Sequence, residues 1–231
     1  MKKWMKIMLL AVLPAMVLTS CDDDDDDDTT PVVEIANVMV VHASPDAPGV
    51  DLLIDDSKVN SAALTFPNNT GYLEVPAGNR NVKVNAAGTT TTVIDADLDL
   101  ERDENYSVFA VNTLSNIEPL VLMDDLTAPA SGRAHVRFVH LSPDAPAVDV
   151  AVTGGPVLFS DRAFKSATDF TPVDAMSYNL EVRLAGTETV VLTVPNVNLA
   201  SGRIYTIFAR GFVAPPADNE NALGAEIIVN R

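Results

Sequence analysis

One stretch of eleven residues occurs twice. Val41-His42-Ala43-Ser44-Pro45-Asp46-Ala47-Pro48-Gly49-Val50-Asp51 returns 98 positions later as Val139-His140-Leu141-Ser142-Pro143-Asp144-Ala145-Pro146-Ala147-Val148-Asp149. Chance does not produce a match of that length, so the chain carries an internal duplication, and the fold must be one that works twice. Each half, about 95 to 100 residues, can bury a modest core of its own.

From Pro31 onward no window sustains a 3.6-residue period. Short runs rich in Val, Ile, Thr and aromatics, separated by Gly, Pro, Asn or Asp, predict strands instead. In the first half these run through Val38 and Val40 into His42, then Val50–Ile54, Tyr72–Val75, Asn79–Asn85, Thr90–Ile94, Tyr106–Val111 and Pro119–Met123. The second half repeats the plan at Ala134–His140, Val148–Val152, Phe170–Val173, Met176–Leu184, Val190–Val194, Ile204–Ala209 and Glu226–Val229. The last of these follows Gly211 to Asn221, which carries Pro215-Pro216 where the first half has a shorter turn.

The register of the duplication tests this reading. Val82 and Val84 align with Leu180 and Val182, while Asn81 and Lys83 align with Asn179 and Glu181. Apolar stays apolar and polar stays polar at period two, as one buried and one wet sheet face require. After one inserted residue the offset becomes 99, pairing Leu100 with Leu199, Tyr106 with Tyr205 and Phe109 with Phe208; these aromatics are expected in the core. The expected fold is all-β: two tandem antiparallel β-sandwiches, Ig-like or transthyretin-like, over residues 34–128 and 133–231 with a linker at 129–132.

The N-terminus places the chain. Lys2, Lys3 and Lys6 precede a short apolar segment, Ile7 to Val17, that is too short to span a bilayer and reads as a signal peptide over residues 1–20. Its ending, Leu18-Thr19-Ser20-Cys21, resembles the lipobox of bacterial lipoproteins, in which the Cys sulfur receives diacylglycerol and the chain is cut just before it. Cys21 is also the only cysteine, so no intramolecular disulfide can form. Two or more acyl chains give stable anchoring, and the expected partner is therefore a membrane, reached through the N-terminal lipid. The expected address is the extracytoplasmic cell envelope, with the outer membrane or cell surface favoured. Seven carboxylates, Asp22 to Asp28, follow within a tether over 21–33; a block of like charge extends itself by repulsion.

The repeated Val-His-x-Ser-Pro-Asp-Ala-Pro-x-Val-Asp stretch resembles the bacterial domain of unknown function 4397. So do the Tyr-Ser-Val-Phe-Ala-Val and Tyr-Thr-Ile-Phe-Ala-Arg runs and the Glu118-Pro-Leu-Val-Leu-Met-Asp-Asp125 ending. By motif the resemblance extends over residues 36 to 231 as two tandem copies. It implies an extracytoplasmic β-sandwich of a secreted or surface protein, and no established activity.

Within the repeated stretch, Pro45 forces Ser44 to be extended and Pro48 does the same to Ala47. Asp46 between them suits folding its carboxylate back onto backbone N–H groups, and His42 and Asp51 can bridge the loop to its flanking strands. The same roles are expected of His140, Ser142, Pro143, Asp144, Pro146 and Asp149. This structural reading is preferred over two chemical ones. A nucleophilic site from Ser44, His42 and Asp46 lacks a Gly-x-Ser-x-Gly elbow and would have to exist twice. A metal site has one motif His per copy and no Cys, short of the usual ligands for zinc. No catalytic residue, metal or cofactor is therefore assigned, and a hydrolase or metal-dependent activity at this loop is the alternative.

Four further features bear on partners. His135 has Asn37 as its counterpart, so it is no part of a repeated site and is expected at a strand edge. Asp95, Asp97, Asp99 and Glu101 alternate with Ala96, Leu98 and Leu100, which predicts a solvated strand face rather than a calcium loop. Without the leader, 12 basic residues stand against 32 acidic, a net charge of −20 that repels nucleic acid. Trp4, the only Trp, leaves with the leader, which weakens a glycan-stacking reading and keeps protein or other surface ligands open.

Overall fold

The computed structural model describes residues 33–231; the leader, Cys21 and the Asp22–Asp28 run lie outside them. Among the described residues, sixteen strands account for the regular structure, together with one short 3-10 turn at Leu114–Asn116. In the first half they are β1 (Ile35–His42), β2 (Val50–Ile54), β3 (Ser57–Lys58), β4 (Asn69–Pro76), β5 (Gly78–Ala86), β6 (Thr92–Leu100), β7 (Asn105–Val111) and β8 (Glu118–Met123). In the second they are β9 (Arg133–His140), β10 (Val148–Val152), β11 (Val157–Arg162), β12 (Thr171–Asp174), β13 (Ser177–Leu184), β14 (Val190–Asn198), β15 (Ile204–Arg210) and β16 (Gly224–Val229). Among the described residues no helix is long and apolar enough to cross a membrane.

The chain shuttles between two four-stranded sheets in each half. Sheet order is β4-β1-β7-β8 over β3-β2-β5-β6, and β12-β9-β15-β16 over β11-β10-β13-β14. These are two sandwich-like domains, and the all-β expectation holds. The sheets are not purely antiparallel, however: β1 runs parallel to β7, and β9 to β15. Period-two patterning reports which face a residue takes and is blind to strand direction. The direction follows from the path, because β7 returns to the β1 sheet only after the chain has crossed to the facing sheet and back. β3 and β11 were also outside the expected set, the first because two residues carry no pattern. β6 and β14 run longer than expected, so Thr92 to Ile94 and the acidic alternation after it form one strand.

Each sandwich has its own core. Val38, Val40, Leu52, Val82, Val84, Ile94, Leu98, Tyr106 and Val108 close the first, and Val136, Phe138, Val150, Leu180, Val182, Val197, Tyr205 and Ile207 the second. Burying a Val or Leu side chain stabilises a fold by about 1.5–3 kcal/mol. Tyr106 and Tyr205 hold strand corners as well: their hydroxyls accept the backbone N–H of Glu101 and Ala200, each at 3.0 Å. Tyr106→Phe and Tyr205→Phe are each expected to lower stability by about 0.5–1.5 kcal/mol in urea unfolding. Unchanged midpoints would show that these corners contribute nothing.

A third core joins the halves. Met39 and Val41 point from β1 away from the first sandwich and meet Phe109, Val111, Val139, Leu141, Phe208 and Ile228. Sheets β4-β1-β7-β8 and β12-β9-β15-β16 are thus buried on both faces, and Val33–Arg231 is one compact unit. Phe109 and its counterpart Phe208 pack edge to face with centroids 6.0 Å apart. A residue meeting its own duplicate is what a two-fold-related contact produces.

Candidate functional site

The repeated stretch leaves the end of β1 or β9 and crosses to the facing sheet. His42 and His140 are fully buried. Their Nε2 atoms donate to the carbonyls of Pro48 and Pro146, at 2.9 and 3.1 Å, so each ring closes its own loop. That fixes the proton on Nε2 and leaves Nδ1 a buried acceptor without a hydrogen-bond partner in both copies. Burial pushes both imidazoles below their ordinary pKa, partly offset by the proline carbonyls, and keeps them neutral.

The aspartates brace neighbouring segments. Asp46 does not turn back on its own loop as expected; its Oδ1 accepts the N–H of Leu114, 2.7 Å away in the loop after β7. Asp144 accepts the N–H groups of Val213 and Ala214 in the equivalent loop after β15, at 2.8 and 2.9 Å. The two prolines hold the loop so that its carboxylate reaches sideways, across the sheet end, to donors that no strand partner satisfies. Asp51 accepts the N–H of Gly88 at 3.0 Å and pairs with Lys58, and Asp149 accepts those of Gly186 and Asp161. These bonds hold both carboxyls below the usual carboxylate range: the Lys58 contact acts first on Asp51, the Asp161 N–H first on Asp149.

Ser44 and Ser142 are fully buried beside them. Ser142 Oγ donates to the Gly211 carbonyl at 2.6 Å, and each serine lies 3.5 Å from the next Asp. The histidine's Nε2 is turned to the proline carbonyl rather than to the serine hydroxyl, so Ser, His and Asp do not form a relay. The first loop is also held from the other half: Asn219 and Asn221 donate their side-chain amides to the Pro45 carbonyl, at 2.8 and 2.6 Å. Pro45 is buried while Pro48 is exposed; Pro143 is half-buried and Pro146 exposed.

A model of the family described as Domain of unknown function (DUF4397) matches residues 36–151, just over half of the 231. The chain belongs to this family. The DUF4397 match begins in β1 and ends at Ala151 in β10, so it takes in both repeated stretches and stops short of the motif resemblance that runs to residue 231. Among solved structures, the chain is similar to the crystal structure of CBMbc (family CBM26) from Eubacterium rectale Amy13K in complex with maltoheptaose. The identity is 8%, the coverage 83% of this chain and 96% of that one, and the TM-score 0.26. At that score the likeness has no bearing on what the chain binds. No curated protein matches the chain.

The DUF4397 stretches were legible in the sequence, but a second polar cluster was not. Between the sandwiches, Arg137 Nη1 lies 2.5 Å from Asp124 Oδ1, and both residues are buried. Arg137 also donates to Ser107 and Thr206, at 2.9 and 2.8 Å, and lies 4.6 Å over the Phe170 ring. Ser107 and Tyr72 donate to Asp124 Oδ2; Thr206 donates to Asn230, which donates back to the Tyr72 hydroxyl. Burial, then the Asp124 charge, pushes the Tyr72 phenol up, so it stays a neutral donor. The positions are duplicates: Met39, Tyr72, Ser107 and Asp124 correspond to Arg137, Phe170, Thr206 and Asn230 through equivalent strand pairings. One available signal was Arg137 within the apolar run Ala134 to His140, opposite an apolar Met39 in the other copy.

His135 lies half-buried within β9, between β12 and β15, rather than at an edge. Asp95, Asp97 and Asp99 are exposed on β6, the first two accepting the Asn81 amide. Among the described residues no three His, Cys, Asp or Glu are grouped to hold a metal ion.

Proposed function

We propose that this chain is a lipid-anchored envelope protein built from two tandem copies of the DUF4397 domain, with a non-catalytic binding, adhesion or surface-structural role. The observation that carries the non-catalytic reading is the direction of the repeated polar groups. His42 and Asp46, like His140 and Asp144, spend their bonds on backbone groups of their own half. A nucleophile's base must reach the hydroxyl that it activates, and here the base is committed elsewhere in both copies. The second copy is supported by the strand pairings of β9 to β16, which repeat those of β1 to β8. The address rests on Leu18-Thr19-Ser20-Cys21 and its lysine-led apolar leader.

Fractionation tests the anchor. The protein made with its leader is expected in the membrane fraction, carrying labelled fatty acid, and Cys21→Ser should move it to the soluble fraction without label. Retention of Cys21→Ser in the membrane would end the lipid reading. Turnover of ester or peptide substrates that disappears in Ser44→Ala and Ser142→Ala while the melting temperature holds would end the non-catalytic one.

A further inference from the structure

Four sheets have eight edge strands, and an open edge is a template for another strand. Six of them are blunted. β3 is two residues long, β12 is four with Pro172 and Asp174, and β6 carries Asp95, Asp97 and Asp99. β4 has Gly71 at φ 69° and a register shift opposite Met39 to Val41. β11 has two shifts with Asp161 at φ 54°, and β14 has two with Pro195 and Asn196 at φ 57°.

The remaining two edges, β8 and β16, are duplicates of each other and are defended at one end only: β8 begins with Glu118 and Pro119 and β16 carries Glu226, but both finish in an uncharged apolar run. In β8, residues 119 to 123 carry no charge, and Val121 and Met123 are 39% and 55% exposed; in β16, Ile227 and Val229 are 40% and 56% exposed. The N–H of Asp124 bonds the Asn105 carbonyl, so by alternation the backbone groups of Val121 and Met123 point to the open side. Beside β8 lies a groove of about 490 Å³ lined by Val121, Met123 and Phe170, with Asp125 and Asp169 also on its wall. The Arg137 guanidinium at this groove is neutralised by Asp124, so the charge left over is negative.

We propose that β8 is a strand-addition site for an extended segment of a partner protein that alternates apolar side chains and carries Lys or Arg at its ends. The proposal rests on the binding role above and names its surface. Main-chain bonds to Val121 and Met123 supply affinity, the groove takes the apolar side chains, and Asp125 and Asp169 pair with the basic ends. Charge selects this partner over a second copy: the described residues hold 12 Lys and Arg against 25 Asp and Glu, so two copies repel.

The test uses the full chain processed at Cys21 and a panel of ten-residue peptides alternating Val or Ile with Thr, with Arg at both ends, plus the same panel ending in Glu. Amide hydrogen exchange at Val121 and Met123 is expected to slow at least fivefold with saturating Arg-ended peptides and not with Glu-ended ones. Val121→Pro, which removes one outward N–H, and Met123→Lys should each abolish the protection while leaving the melting temperature within a few degrees. Protection by neither panel, by both equally, or at other strands overturns the proposal. Protection that instead appears with rising protein concentration alone overturns it in favour of self-association. None of these outcomes touches the fatty-acid label or the turnover assay, so the broader reading stands or falls separately.

Discussion

Asp124→Ala is expected to cost about 3–5 kcal/mol in urea unfolding, because it strands the Arg137 guanidinium, 2% exposed, between two sheets with two hydroxyls and the Phe170 ring to face but no counter-charge. Arg137→Met alone should cost a similar amount by leaving the carboxylate unpaired. The informative experiment is the cycle. Asp124→Asn with Arg137→Met installs the uncharged residues that the other copy carries at these positions, Asn230 and Met39, and takes both charges out together. The double variant is expected to be more stable than either single one, with a coupling of about 2 kcal/mol or more. A burial that needs both partners behaves in this way, since the cost of a buried pair lies mainly in breaking it. Additive losses, or single variants within about 1 kcal/mol of the parent, would show that the apolar third core holds the sandwiches together without the pair.

His42→Ala and His140→Ala are expected to lower stability by about 2–4 kcal/mol each, the loss combining a buried cavity with the hydrogen bond to the proline carbonyl. The rings are also stacked edge-on against Phe66 and Phe164, so their removal loosens the second loop that each one touches. The pH dependence has a definite sign. Both histidines have folded pKa values below the ordinary 6.5, so below that pH the unfolded chain binds more protons than the folded one. Stability is therefore full above about pH 6.5 and falls as pH drops from there through the lowered folded values. Asp51 and Asp149 add a separate loss at lower pH, below the ordinary 3.8, because their depressed pKa values favour the folded state only while they are ionised. In the double histidine variant the first of these two losses should vanish and the second remain. A parent chain whose unfolding midpoint is flat between pH 7 and pH 4.5 would contradict the neutral, loop-closing role.

The duplication, the strand-by-strand alternation and the turn residues were sufficient for the all-β sandwich reading, because period two and Gly or Pro punctuation are local properties. Val50–Ile54 and Val148–Val152 were read to the residue for that reason. The restraint that its prolines place on the repeated loop was also legible, since prolines restrict only their neighbours. Which backbone groups its aspartates reach was not: the partners of Asp46 and Asp144 lie 68 to 70 residues away, in loops that close only when β7 and β15 return to the first strand. The parallel pairing of β1 with β7 has the same origin. The third core was hidden because Met39, Val41, Phe109 and Phe208 are apolar wherever they face, and hydrophobicity by itself does not say which of two sheets a residue will meet. Tertiary structure alone decided that the duplicates face each other, and so placed a single Arg, in one copy, against a single Asp in the other.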